Sequence, residues 1–379
     1  MKHRVLILGA GFAGLELATS LSERHGDSIA VTLLDQSDTF VFGYSKLDVM
    51  FDKASADAVH LRYSDFVRPG VSLEREVVRS IDPTARRVVT DVGTHEADTL
   101  VIALGADYDV STTPGIVLGK NEFYSLEGAA HLRDVLPTFS KGHVVVGVCS
   151  APYKCPPAPS ECALMLHDYL ALRGVRGDCH ITVANPMSSP VPPSPETANA
   201  LLAAFAERGI KFLANSPVIA VDEQRKLVTL DGGRELACDL FLGVPKNRAP
   251  DVVVAAGMTE NGWVTVNPRT LETAFPGVYA VGDLANTGAP KAGIFAEGAA
   301  RAVAQNISAL INQQQPSAKN PGAGSCYIEF GGNLIARVDV DFFSGPKPTG
   351  IFNAPSEALR ADKENFGATR KARWFGRAT

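Results

Sequence analysis

The strongest constraint on this chain lies near its start. An apolar run, Val5 to Leu8, leads directly into Gly9-Ala10-Gly11-Phe12-Ala13-Gly14, and a helical pattern follows with Leu15, Leu17, Ala18 and Leu21. Gly9 permits a tight turn, Gly11 lets the backbone approach a pyrophosphate, and Gly14 lets the helix pack close to the strand. The free N–H groups and positive dipole end of that helix would face the phosphates. A second strand, Ile29 to Leu34, ends at Asp35, 21 residues past Gly14, where an acid can bind the hydroxyls of an adenosine ribose. Strand, glycine loop, helix, strand and acid in this order predict a dinucleotide-binding βαβ unit, with Gly9, Gly11, Phe12, Ala13, Gly14 and Asp35 at the ligand.

Beyond that unit strand and helix patterns alternate, which predicts an α/β chain with largely parallel sheets. We expect two Rossmann-like domains plus a smaller C-terminal segment. The first domain is assigned residues 1–110 and 262–312, the second 111–261, and the segment 313–379. The 379 residues are 45% hydrophobic and 20% charged, enough for two or three cores, and the net charge of −5 leaves no basic footprint for nucleic acid. No apolar run reaches the ~18 residues of a bilayer span. The opening Met1-Lys2-His3-Arg4 enters a strand at once, leaving no room for a secretory leader. The expectation is a cytoplasmic protein whose six cysteines are mostly reduced, so that a disulfide would be catalytic rather than structural.

Further clusters resemble motifs of the two-dinucleotide flavoprotein oxidoreductases. Thr99-Leu100-Val101-Ile102-Ala103-Leu104-Gly105 is similar to their short strand-and-glycine motif, placing Ala103 and Gly105 at the cofactor. Gly277-Val278-Tyr279-Ala280-Val281-Gly282-Asp283 resembles their late motif, and the resemblance gives Gly282 and Asp283 the ribityl–phosphate part of FAD. Pro290-Lys291-Ala292-Gly293 precedes a helix whose N-terminus would point at the flavin ring, with Lys291 and Gly293 beside it. Val77, in Glu76-Val77-Val78, falls where that superfamily touches the adenine through its backbone; a plain core valine is the other reading.

His143 to Tyr169 stands where such an enzyme would carry a second glycine loop. Of the expected glycines only Gly147 remains, and Cys149, Pro152, Cys155, Pro156, Pro157, Pro159 and Cys162 stand in place of the others. Proline has no backbone N–H and cannot cradle a pyrophosphate, so the nicotinamide site of the second domain is degenerate. The run Cys155-Pro156-Pro157-Ala158-Pro159-Ser160-Glu161 resembles the sulfide-oxidising branch of the flavoprotein disulfide reductases, which contains sulfide:quinone oxidoreductases and the flavin subunit of flavocytochrome c sulfide dehydrogenase. That resemblance implies a redox pair of Cys155 with Cys326 next to FAD, and a proton-moving role for Glu161. It implies sulfide or another small thiol as donor and a quinone or cytochrome as acceptor. Read without it, Cys155 and Cys326 could be inert packed thiols or a structural disulfide, and Glu161 a solvated glutamate in the first turn of a helix.

The departures are informative. Glu122-Phe123-Tyr124-Ser125-Leu126 lacks the third cysteine of many quinone-linked members, and Thr39 to Tyr44 lacks a cysteine for covalent flavin, so FAD is expected to bind non-covalently. Cys149, Cys162, Cys179 and Cys238 read as packed thiols, and their spacings do not suit a metal. Arg370-Lys371-Ala372-Arg373-Trp374-Phe375-Gly376-Arg377 could rest peripherally on the inner face of a membrane, or pack Trp374 and Phe375 into the protein's own core. An NAD(P)H-dependent flavoprotein, such as a type II NADH dehydrogenase or a disulfide reductase, is the competing function; the proline-rich loop counts against it.

Overall fold

The computed structural model describes residues 2–376, so Met1 and Arg377 of the segments named above lie outside the described residues. Strand β1 (His3–Leu8) feeds helix α1 (Phe12–His25), and the chain continues through β2 (Ile29–Asp35), the short α2 (Ser45–Met50), β3 (Val71–Arg75) and β4 (Thr99–Ile102). Val5 to Leu8 are at most 2% exposed, as expected of a parallel strand covered on both faces, which therefore reads as a continuous apolar run.

A second parallel unit begins after α3 (Leu126–Val135). It comprises β5 (Gly142–Val148), α4 (Ala158–Leu172), β6 (Cys179–Ala184), α5 (Pro195–Glu207), β7 (Ile210–Leu213) and β8 (Leu240–Val244) in the order β7-β6-β5-β8. Helix α5 starts as its sequence predicts: Ser194 Oγ accepts from Thr197 N–H and Pro195 occupies the first turn. After α6 (Asp251–Ala255) the chain returns to the first sheet through β9 (Val278–Ala280), completing the parallel order β9-β4-β1-β2-β3. Helix α7 (Gly293–Ile311) then packs along α1.

The polar stretch after α7 is tied down rather than loose. Asn306 exchanges two hydrogen bonds with the backbone of Ala318, and the buried Asn320 amide donates to the Pro268 carbonyl. The C-terminal segment forms an antiparallel meander of β10 (Ala323–Glu329), β11 (Ile335–Asp341) and β12 (Thr349–Ser356), closed by α8 (Ala358–Phe375).

Helix α8 is fastened to the first domain by a buried carboxylate. Glu16 on α1 is fully buried and accepts hydrogen bonds from Arg301, Arg373 and the Trp374 indole N–H at 2.8–3.0 Å. Burial alone would raise the Glu16 carboxyl, but the hydrogen bonds from Arg373, Arg301 and Trp374 outweigh it and hold the group below its usual range. Arg370 likewise reaches Glu297 on α7 at 2.9 Å. Trp374 and Phe375 sit in the core, where Trp374 meets Phe12, Phe40 and Phe42 edge-on or stacked. The structure shows the internal packing of Trp374 and Phe375 that one reading of the basic, aromatic tail expects, with Arg370 and Arg373 paired to Glu297, Glu16 and Glu23. Among the described residues no helix is long and apolar enough to cross a membrane.

Candidate active site

A cavity of about 680 Å³ runs from the glycine loop to the C-terminal meander. Its wall includes Gly9, Gly11, Phe12, Ala13, Asp35, Val77, Ala103, Gly105, Gly282, Asp283, Lys291 and Gly293, together with Cys155, Glu161 and Cys326, which lie close enough to interact with one another. Gly14 alone of the sequence-assigned residues is off the wall, and its role is packing: a Cβ there would lie 1.9 Å from the Gly9 carbonyl oxygen. Gly9 has φ +98° and a Cβ on it would come within 2.4 Å of the Ala103 oxygen, so the loop fits against β4 only as glycine. A Cβ on Gly11 would meet nothing within 4 Å; it would project into space beside the cavity wall.

Asp35 uses one carboxylate oxygen to accept from Ala10 N–H and the other from Ser37 N–H, both at 2.8 Å, so the acid at the strand end also braces the loop. Burial pushes its carboxyl above the usual range despite those bonds. Val77 lines the cavity; its N–H donates to Asp91 Oδ1 and its carbonyl accepts from Asp91 N–H.

Three lysines that sequence reasoning did not group converge on Asp283. Burial pushes the Asp283 carboxyl up, and the ammonium groups of Lys154, Lys291 and Lys46 pull it back. The same burial pushes Lys154 and Lys291 down to about 8, and lowers Lys46. Lys46 Nζ donates to the Tyr124 carbonyl at 2.6 Å, Lys154 Nζ to the Ala106 carbonyl at 2.8 Å, and Lys291 Nζ to the Asp283 carbonyl at 2.5 Å while lying 3.5 Å over the Trp263 ring. A half-buried carboxylate facing a cavity suits hydroxyl groups, and a group of cations suits developing negative charge. Lys154 is the one of the three whose place beside Cys155 could have drawn notice; Lys46 carries no local signal.

The proline-rich loop holds Cys155 in an uncommon backbone state, φ +50° for a residue with a side chain. It is strapped in place: Cys155 N–H donates to the Lys291 carbonyl at 2.8 Å, Tyr124 Oη donates to the Lys154 carbonyl at 2.8 Å, and Asn247 accepts from Lys154 N–H at 2.9 Å. Tyr124 stands in the segment that lacks the third cysteine, and Glu122, fully buried, anchors that segment by accepting from Tyr124 and Ser125 N–H. Cys326 comes from β10. Both thiols are free and half-buried. Burial pushes both up, with the charges of Glu161 and the other thiol adding for Cys155, so both are protonated at neutral pH. Cys149, Cys162, Cys179 and Cys238 are free, buried and off the cavity wall. Among the described residues no cluster could hold a metal ion.

Glu161 is not solvated. It is 4% exposed, lines the cavity, and accepts from Glu329 N–H at 3.0 Å. Burial pushes its carboxyl up to about 7, Lys363 and the Glu329 hydrogen bond acting against the shift. A buried acid poised at neutral pH is suited to moving protons.

The profile of the family described as pyridine nucleotide-disulphide oxidoreductase matches residues 3–306, well over half of the chain. The chain belongs to that family. In sequence it is similar to the mitochondrial sulfide:quinone oxidoreductase of Mus musculus, at 24% identity over 94% of this chain and 82% of that protein. It is also similar to a type II NADH:quinone oxidoreductase of Staphylococcus aureus (strain NCTC 8325 / PS 47), at 25% identity over 69% of this chain and 72% of that one. Among solved structures the sulfide:quinone oxidoreductase of Aquifex aeolicus shares the fold, with TM-score 0.86 and 24% identity over 98% of this chain and 91% of that one. The family's cofactor is a flavin. The residues fit such a group: a glycine loop on the cavity wall, a half-buried carboxylate with cations around it, and the N-terminus of α7 facing the cavity through Ala292 and Gly293.

Proposed function

We propose that this protein is an FAD-dependent oxidoreductase that oxidises sulfide to sulfane sulfur through Cys155 and Cys326 and passes the electrons to a quinone. The observation that carries the reading is the meeting of two cysteines, 171 residues apart in sequence, on the wall of the same cavity that a dinucleotide loop lines. The name of the mouse relative points the same way. FAD is held non-covalently by Gly9, Gly11, Asp35, Asp283 and Lys291, since none of the six cysteines lies in the loop from Thr39 to Tyr44.

In its oxidised form the pair is a disulfide. Hydrosulfide attacks one sulfur, the S–S bond breaks, a persulfide forms on that cysteine and the other leaves as a thiolate. Burial works against that thiolate, and the Ala158 N–H and the Lys363 ammonium act the other way. Glu161 takes or returns a proton at the sulfur atoms. Bound flavin would supply a two-electron acceptor beside the cysteines and a donor to the quinone. Tyr44, Tyr327 and Phe366 line the same cavity and offer flat apolar surfaces to a quinone ring.

Anaerobic mixing with sulfide should bleach the flavin absorbance, and a quinone should restore it. Bleaching by NADH and not by sulfide would overturn the reading in favour of a nicotinamide-linked enzyme. Acid precipitation should release the flavin into the supernatant; flavin retained in the pellet would contradict non-covalent binding.

A further inference from the structure

A second cavity, of about 500 Å³, lies beside the first, lined among others by Tyr44, Asp48, Lys53, Glu329, Lys363 and Lys371. Tyr44 and Lys363 line both cavities, so they form the wall between them. That wall is close-fitting: a Cβ on Gly367 would come within 2.4 Å of the Tyr44 hydroxyl. On the far side, Lys53, Glu364 and Lys371 are exposed, which opens the second cavity to solvent.

The wall carries a connected set of ionisable groups. Lys363 Nζ lies 2.5 Å from Glu329 Oε1, with only 15% and 8% of the two side chains exposed. Glu329 faces the second cavity, yet its backbone N–H donates to the Glu161 carboxyl in the first. The Lys363 ammonium also attracts Glu161 and Asp48, so one cation from α8 lies among three carboxyls from α4, β10 and α2. Arg360, Glu364 and Lys371 of α8 and Lys53 after α2 complete the charged lining, and Cys155 and Cys326 face Glu161 from inside.

We propose that the second cavity is the solvent port of a proton path into the cysteine cavity, with Asp48 and Glu329 as relay residues and Lys363 as the charge that holds them together. The inference rests on the sulfide and quinone reading, whose balance requires such a path. Hydrosulfide, HS⁻, gives up two electrons, its sulfur passing from −2 to 0 and remaining as sulfane sulfur, and releases one proton. The quinone takes those two electrons and two protons to become quinol. Each turnover therefore draws one further proton from water: HS⁻ + H⁺ + quinone gives S⁰ + quinol. In the first cavity Glu161 is the buried acid positioned to pass that proton on; Glu329 and Asp48 are the carboxyls that see both it, through Lys363, and the solvent side. Asp48 is itself pushed up by burial, with Lys363 acting against the shift, which favours a group that can hold a proton in transit.

The test uses the flavin-loaded protein with Glu329→Gln, Glu329→Asp and Asp48→Asn. Quinol formation should slow by roughly a hundredfold in Glu329→Gln, the order expected when a proton-transfer group is lost. The loss should grow as pH rises, and Glu329→Asp or added formate should recover part of it. A second readout needs no turnover. The infrared band of the Glu161 carboxylic acid, assigned by its disappearance in Glu161→Gln, should exchange deuterium from the solvent rapidly in the parent protein and slowly in Glu329→Gln and Asp48→Asn. Unchanged exchange in both variants, or quinol formation insensitive to all three substitutions, would overturn the port. If Glu329→Gln loses its flavin or its melting transition, Asp48→Asn decides the matter alone. A parent protein whose flavin sulfide does not bleach sinks the functional reading, while the exchange measurement still judges the path.

Discussion

Two corners of this molecule have the same plan and offer opposite chemistry. In the first, three residues connect β1 to α1, with glycine at both ends of the connection and its backbone open to the cavity. In the second, nine residues connect β5 to α4, and the helix entry is spent internally: Ala158 N–H bonds the Cys155 carbonyl, Pro159 has no N–H, and Ser160 N–H bonds the Pro157 carbonyl. The first corner presents donors to phosphate. The second presents a thiol, held at an unfavourable φ by hydrogen bonds from outside the loop. What a strand–helix corner can bind is thus decided by which backbone N–H groups remain unused, more than by the fold that supplies the corner.

The sharpest way to break this contrast is to remove the thiols. Cys155→Ser or Cys326→Ser should slow sulfide-driven flavin bleaching on the order of a thousandfold while flavin stays bound, and the double variant should be no worse than the worse single one. Stopped-flow absorbance reads this directly; additive losses would mean that the cysteines do not act as a unit. Next in size is the clamp that closes both corners under α8. Glu16→Ala leaves the buried Trp374 indole N–H without its acceptor and Arg301 and Arg373 with Glu297 and Glu23 as their remaining carboxylate partners, and should cost about 3 kcal/mol in chemical denaturation. Because the Glu16 carboxyl is held below its usual range, its contribution is present at neutral pH and is lost as pH falls through its folded value. A variant as stable as the parent at pH 7 would remove the clamp from the argument.

A smaller effect tests the first corner. Gly9→Ala should cost about 1–3 kcal/mol from its positive φ alone, with more from the contact at Ala103, and should lower the flavin-to-protein ratio on purification. The corresponding gain of glycine at Pro156 should not create NADH-driven bleaching, because Cys155 N–H stays bonded to Lys291. The smallest effect falls on Glu161. Its folded carboxyl keeps a proton up to about 7 whereas the unfolded one releases it near 4.5, so the folded state binds more protons in that window and loses stability as pH rises across it. Glu161→Gln should therefore raise the melting temperature at pH 8, by an amount equivalent to about 1–3 kcal/mol, and leave it nearly unchanged at pH 4. Equal shifts at both pH values would contradict a buried acid.

The glycine loop and Asp35 could be read directly because that geometry is local: turn, close approach and acid fall within one βαβ unit. The proline-rich loop was legible for the same reason, by what it lacks. Cys326 was reached only through resemblance, since nothing near it in the chain marks it as a partner for a residue in the loop before α4. Lys46, Lys154 and Lys291 were missed as a set because they come from α2, the proline-rich loop and the segment before α7 and are joined only by a shared cavity. The tail from Arg370 was open to two readings because a basic, aromatic helix face suits an anionic surface and a buried carboxylate equally well. The discriminating residue, Glu16, sits in an apolar stretch of α1, where a charge calls for a distant counterpart. Val77 lines the cavity, and the Asp91 turn that engages its backbone could not be seen from spacing.

The fastening of α8 to α1 has a consequence for assembly. Lys363 and Phe366, which wall the cavity, and Trp374, which locks their helix down, leave the ribosome after every other part of the chamber is already made. A chain shortened before that stretch would present the glycine loop and Asp283 without the part of the wall that α8 supplies.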